Sequence, residues 1–175
     1  MAILNVPIET ALERKFPEWI FFVITADPSG RANIMPAGWG MVCSYQPPMF
    51  AVAVRATNYS AELIEQTGEF VAAFLAPRHA RFVEPAGTQS GRDVDKFAAL
   101  GLKRAPAKEV RVPLLADSPL QLECKVASAT PCGDHIIFAA YVLAGHVSDE
   151  PEPKIENFRR LYVPAAPVHP GEQQA

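Results

Sequence analysis

The sequence predicts a mainly β domain, an antiparallel barrel with helices at its periphery. Two observations carry this. Most apolar runs are short and rich in branched or aromatic residues, as strands are. No regular strand–helix–strand alternation appears, so a doubly wound parallel sheet does not fit. With 175 residues, 49% apolar and 20% charged, the chain has enough material for one packed core.

The elements follow in order. Thr10 to Phe16 is predicted as a short helix stopped by Pro17. Trp19–Thr25 is an apolar run of strand length, and Asp27-Pro28-Ser29-Gly30 turns it into a hairpin with Ala32–Tyr45. Met49–Arg55 and Phe70–Leu75 are apolar on both faces, so both faces are expected to be covered. Between them, Asn58 or Ser60 can cap a helix through Thr67 that Gly68 ends. A second helix is predicted from Asp93 to Leu100, ended by Gly101. Pro119–Ala127 alternates cleanly, with Leu120, Leu122, Cys124 and Val126 on one side and Gln121, Glu123 and Lys125 on the other. His135–Val147 is a further strand, and Leu161–Val163 a closing one. Residues 1–163 read as a single domain and 164–175, with Pro164, Pro167 and Pro170, as a tail.

Composition excludes several functions. A formal charge of −3 offers neither a nucleic-acid footprint nor a polybasic membrane patch. No apolar stretch reaches membrane-spanning length, and the N-terminus lacks the pattern of a secretory signal, so a cytoplasmic location is expected. Cys43, Cys124 and Cys132 are odd in number and none has CxxC spacing. Reduced, buried thiols are expected, with no metal site. No GxGxxG, P-loop, HExxH or GxSxG pattern occurs.

Four segments remain where chemistry can live. Pro36, Gly38 and Gly40 interrupt a strand, which marks either a bulged edge or a close approach of backbone to a ligand. Arg55, Thr57, Asn58 and Ser60 stand at a strand end and helix start, which suits a phosphate as well as ordinary capping. Ser90, Gly91 and Lys96 lie in a polar loop that is either an anion contact or a solvated turn. His135 follows Gly133-Asp134 and is either structural or near a substrate.

The order of these segments resembles the flavin reductase-like, flavoredoxin-type FMN-binding family. The resemblance is carried by Ala32-Asn33-Ile34-Met35-Pro36-Ala37-Gly38-Trp39, Pro47-Pro48-Met49, Asn58–Ile64 and Glu69-Phe70-Val71. It continues through Ser90–Phe97, which looks like the SG-x-x-x-DKF signature, then Leu122-Glu123-Cys124 and Gly133-Asp134-His135. It implies a six-stranded antiparallel split β-barrel of Greek-key type, usually a homodimer with FMN near the interface. It further implies that Met35, Pro36, Ala37, Gly38 and Trp39 line the isoalloxazine, the proline and glycines letting backbone approach the ring. Arg55, Thr57, Asn58 and Ser60 would hold the phosphate and ribityl chain. Ser90, Gly91 and Lys96 would close over the site, and His135 would sit where a nicotinamide or substrate stacks. The chain departs from the family in having Glu84-Pro85-Ala86-Gly87 where members often carry a cysteine, and Ala140-Tyr141 where many have a glycine and an acidic residue.

The expected activity is hydride transfer between NADH or NADPH and FMN, with reduced flavin passed to a monooxygenase or another acceptor. No side chain is assigned as catalytic, because the hydride step needs no general base. A cation such as Lys96 is expected to steady the charge that reduction builds on the ring. The alternative is a non-enzymatic FMN-binding electron carrier without NAD(P)H activity.

Overall fold

The computed structural model describes residues 3–15, 17–149, 152–158 and 161–164. In chain order the elements are α1 (Ile8–Glu13), β1 (Glu18–Trp19), β2 (Phe21–Ala26), β3 (Ala32–Ala37), β4 (Gly40–Tyr45) and β5 (Pro48–Arg55). Then come α2 (Tyr59–Thr67), β6 (Glu69–Phe74), a single 3₁₀ turn at Pro77–His79, α3 (Ala80–Thr88) and α4 (Lys96–Ala99). The rest are β7 (Arg104–Ala105), β8 (Leu114–Leu115), β9 (Leu120–Cys132), β10 (His135–Val147), β11 (Ile155–Phe158) and β12 (Leu161–Pro164).

Seven strands form one antiparallel sheet in the order β3-β2-β6-β9-β10-β5-β4. The sheet rolls into a split barrel. Phe21 on β2 meets Phe50 on β5 edge-to-face at 5.6 Å, although three strands lie between them in the ladder. The Ala53 N–H also donates to Trp39 O at 2.9 Å, tying the β3–β4 link to β5. The strand count is seven rather than six because the predicted strand Ala32–Tyr45 breaks after Ala37. The break keeps Gly40 free of a side chain: a Cβ there would fall 2.5 Å from the Phe21 ring and 2.8 Å from that of Phe50. At Gly38 a Cβ would fall 2.7 Å from Glu18 Oε1. The packed rings therefore account for Gly40, whereas at Gly38 the Glu18 side chain has room to swing aside.

Two cores explain the doubly apolar strands. Inside the barrel, Phe21, Val23, Phe50, Val52, Val54, Phe70, Cys124 and Phe138 pack together, and Ala61 and Ile64 of α2 plug one end. Outside it, Phe22, Ile24, Ile34 and Val71 are covered by Val83 and Ala86 of α3, Phe97 of α4 and Leu114–Leu115 of β8. Burial on both faces is why β2 is an unbroken apolar run.

The remaining differences are local. The predicted first helix occurs as Ile8–Glu13, and Phe16 lies outside the described residues. The predicted helix at Asp93–Leu100 shortens to α4, whose Asp95 carboxylate accepts from Ala98 N–H at 3.1 Å. The closing strand, β12, joins β11 and β1 in a separate small sheet. Of the cysteines expected to be buried only Cys124 is, and burial pushes its thiol up to about 12. Cys43 and Cys132 are exposed because they lie on β4 and at the end of the β9–β10 hairpin, beyond either core. No described helix is long and apolar enough to cross a membrane. Residues 165–175 of the predicted tail lie outside the described residues.

Candidate functional site

A cleft opens where β3, the β5–α2 junction, the end of α3 and the start of β10 meet. One part, of about 400 Å³, is polar and carries Thr57, Asn58, Ser60, Ser90, Gly91 and Lys96 on its walls. The next, of about 350 Å³, is walled by Met35, Pro36, Ala37, Gly38, Trp39, Arg55 and His135. The two meet at Met35, Asn58 and Gly87. A third hollow, of about 330 Å³, continues past Trp39 and is mostly apolar. The topology thus gathers every site residue predicted from sequence onto two adjoining cavities.

The polar end is built on the start of α2. Asn58 holds the N-cap position in an extended conformation, and its carbonyl accepts from Ala61 N–H at 3.0 Å. Its side chain does not cap the helix; it donates from Nδ2 to Met35 Sδ at 3.1 Å. The Ser60 hydroxyl accepts from Asn33 Nδ2 at 2.9 Å. Side-chain capping by Asn58 or Ser60 is therefore not what these residues do. The first-turn N–H groups of this nine-residue helix remain a positive end at the cavity wall.

The opposite wall is the loop after α3. Ser90 Oγ accepts from Arg92 N–H at 3.2 Å, and Ser90 O accepts from Asp93 and Val94 N–H, each at 3.2 Å. Gly91 lies so close to Asn33 that a Cβ would fall 2.0 Å from Asn33 Oδ1. That oxygen is buried without a hydrogen-bond partner. Arg92 pairs with Glu62 and lies 4.8 Å over the Tyr59 ring, so α2 and the loop are joined across the rim.

Lys96 is not a solvated turn residue. It is 6% exposed, and its ammonium donates to Ile34 O at 2.9 Å and Ala86 O at 2.6 Å, pinning β3 to α3. Among the described residues no carboxylate pairs with it. Burial pushes its pKa down to about 8. It borders the polar cavity rather than the one walled by Trp39.

At the other end, Trp39 is half exposed and its ring lies 4.8 Å from that of His135, tilted by 37°. His135 Nδ1 is 2.7 Å from Asp134 Oδ1, and Arg55 Nη1 is 3.4 Å from Asp134 Oδ2. The His135 hydrogen bond, with Arg55 adding to it, holds the Asp134 carboxyl below its ordinary range. Ala140 is buried in the barrel and Tyr141 stands opposite Met49, so neither lines the two cavities, whereas Gly87 of the other family departure borders both.

Chemically, one end offers hydroxyls, helix N–H groups and a buried cation, which is the donor set for a phosphate. The other sets Met35, Pro36, Ala37 and Val54 beside the Trp39 indole, with Arg55 and His135 on the same wall, a mixture that suits a planar ring with polar edges. Among the described residues no cluster able to hold a metal occurs. Sequence reasoning missed Asn33, Tyr59 and Arg92, although all three lie inside segments it singled out. What each contacts is distant in the chain, 27 positions for Asn33–Ser60 and 30 for Arg92–Glu62.

A family model described as flavin reductase like domain matches residues 14–166. A protein of Archaeoglobus fulgidus is 31% identical over 132 residues, 75% of this chain and 73% of that protein. Flavoredoxin of Desulfovibrio vulgaris superposes with a TM-score of 0.81 at 27% identity, over 91% of this chain and 93% of that one. An FMN-binding protein from Thermus thermophilus, solved with bound p-hydroxybenzaldehyde, gives 0.80 at 25% identity over 95% and 94%. With the split barrel and its joined cleft, the match over residues 14–166 makes this chain a member of the flavin reductase-like domain family.

Proposed function

We propose that the chain is an NAD(P)H-dependent FMN oxidoreductase that acts as a homodimer. The observation that carries this is the joined cleft, with hydroxyls, a helix N-terminus and a cation at one end and an indole-edged wall of Met35, Pro36 and Ala37 with Arg55 and His135 at the other. The family membership and the likeness to an FMN-binding protein and a flavoredoxin support it.

Bound there, a flavin supplies the ring that accepts hydride and passes electrons on. The chain supplies position. Thr57, Ser60 and the α2 N–H groups take the phosphate, with Lys96 as the nearby cation. Met35 to Trp39, with Ala53 and Val54, hold the ring and exclude water. Arg55 is the cation on the ring side, where reduction adds negative charge. His135, oriented by Asp134 and packed on Trp39, marks the nicotinamide side. A second copy is proposed to cover the outer face of β4, β5 and β10, where Met41 and Tyr141 are exposed.

Titration with FMN and riboflavin tests the ligand. FMN is expected to bind at least about tenfold tighter, and Thr57→Val to weaken FMN by about 1–2 kcal/mol through an unmet anion contact. Anaerobic NADH or NADPH should then bleach the bound flavin. Bound flavin that neither nicotinamide reduces would remove the reductase activity and leave the electron carrier.

A further inference from the structure

We infer that Asn33 is a positioning residue that reserves the Ser60 hydroxyl proton for an anionic ligand group. This rests on the phosphate assignment for the same cavity.

A serine hydroxyl has one proton to give and can also accept. At a helix N-terminus its usual use is to accept from a first-turn N–H, or to donate to a nearby carbonyl. Neither occurs at Ser60. Its oxygen accepts from Asn33 Nδ2 at 2.9 Å, and it stands on the wall of the polar cavity. With its oxygen occupied by that donor, the hydroxyl's own proton is left to point into the cavity.

The direction of this contact is fixed by the rest of the amide. The second Nδ2 proton goes to Thr25 Oγ1 at 3.2 Å, across the β2–β3 ladder where Thr25 faces Asn33. Turning the amide over would place Oδ1 between the Thr25 and Ser60 hydroxyls and set the N–H donors against Gly91. The observed orientation instead satisfies both donors and leaves a single acceptor, Oδ1, unpartnered. An under-satisfied buried carbonyl oxygen is tolerated more readily than an orphaned donor, which accords with this orientation. It also carries the inference, because the reverse orientation would consume the Ser60 proton on Oδ1.

Asn33 borders the same cavity, but its Nδ2 donates to Thr25 and Ser60 and Gly91 lies against its oxygen. It therefore acts through Ser60, at the point where β3, the first turn of α2 and the Ser90–Gly91 loop meet.

FMN and riboflavin differ only in the phosphate, so their affinities separate positioning from scaffolding. Asn33→Ala and Ser60→Ala are each expected to lower FMN affinity about tenfold and to leave riboflavin within about twofold. The double variant should lose no more than the larger single loss, because both remove one contact. Asn33→Asp is nearly the same size and would accept the Ser60 proton. It should cost FMN at least about fiftyfold, and it keeps the test available if Asn33→Ala does not fold. Equal losses for FMN and riboflavin in the Asn33 variants, or additive losses in the double variant, would overturn the inference. An FMN loss in Ser60→Ala with none in either Asn33 variant would overturn it while sparing the phosphate assignment. Unchanged FMN affinity in Ser60→Ala would remove both.

Discussion

Lys96 is a charge held out of water by two main-chain carbonyls. Because burial pushes its pKa down to about 8 from 10.5, the unfolded chain keeps this proton where the folded one has lost it. Stability therefore rises as pH climbs from about 8 towards 10.5, and below that window the folded state carries the full desolvation cost. Comparing denaturant midpoints at several pH values should show this rise in the native chain and not in Lys96→Met. The same group makes FMN binding depend on pH. A phosphate in the cavity favours the ammonium, so binding takes up a proton, and FMN affinity should fall by up to about tenfold per pH unit above pH 8. Riboflavin affinity should stay flat over that range, and parallel behaviour of the two ligands would remove Lys96 from the anion site. The sequence placed Lys96 in the right segment, but its alternative role as a solvated turn could be dismissed only by seeing carbonyls 10 and 62 positions away.

At the scale of elements, β9 shows what alternation reports and what it omits. The two faces of Pro119–Ala127 were legible, yet the polar face is also buried at Gln121 and Glu123. The Glu123 carboxylate accepts from the N–H groups of Lys108, Glu109 and Val110 at 2.8, 2.6 and 2.9 Å, and lies 2.6 Å from His146 Nε2. Burial alone would raise its pKa, but these hydrogen bonds outweigh it and hold the carboxyl below 4.5. Its contribution is therefore present above that value and lost as pH falls through the depressed one. Glu123→Ala should cost about 3 kcal/mol in urea unfolding at neutral pH, with the difference from the native chain shrinking in acid. The covering segment around Lys108–Val110 has no regular structure, so no periodicity announced it. Helix α3 was missed for a different reason, since Pro85 and Gly87 read as helix breakers. At Gly87 a Cβ would make a tight contact with Pro36 Cγ at 3.0 Å, so α3 packs close against β3 there.

Across the whole molecule, the order of strands and the mainly β class were legible because burial on one or two faces leaves its period in the chain. The roll of the sheet was not, since it depends on Phe50 of β5 meeting Phe21 and Phe74, on the neighbouring strands β2 and β6, across the barrel. Among the described residues, the roll also leaves an outer face on β4, β5 and β10 without a covering layer like the one α3 and α4 give to β2 and β3. Met41 pairs with Ala51 and Tyr141 with Met49, so these side chains share the face opposite Phe50 and Val52. Met41 is 63% and Tyr141 43% exposed, and Tyr45 and Leu143 are exposed as well. The third hollow, beside Trp39, is walled by Met41, Ala51 and Ile137. A second copy docked on this face would cover the apolar surface and wall off the ring end of the cleft in one step. Light scattering after gel filtration should give the mass of a dimer for the native chain. A charge on the face should split it: Met41→Glu combined with Tyr141→Glu is expected to give a folded monomer, because neither side chain belongs to a buried core. That monomer should bind FMN more weakly, while its phosphate end keeps the preference for FMN over riboflavin. A native chain of monomer mass, or a double variant that stays dimeric, would rule out this face as the interface.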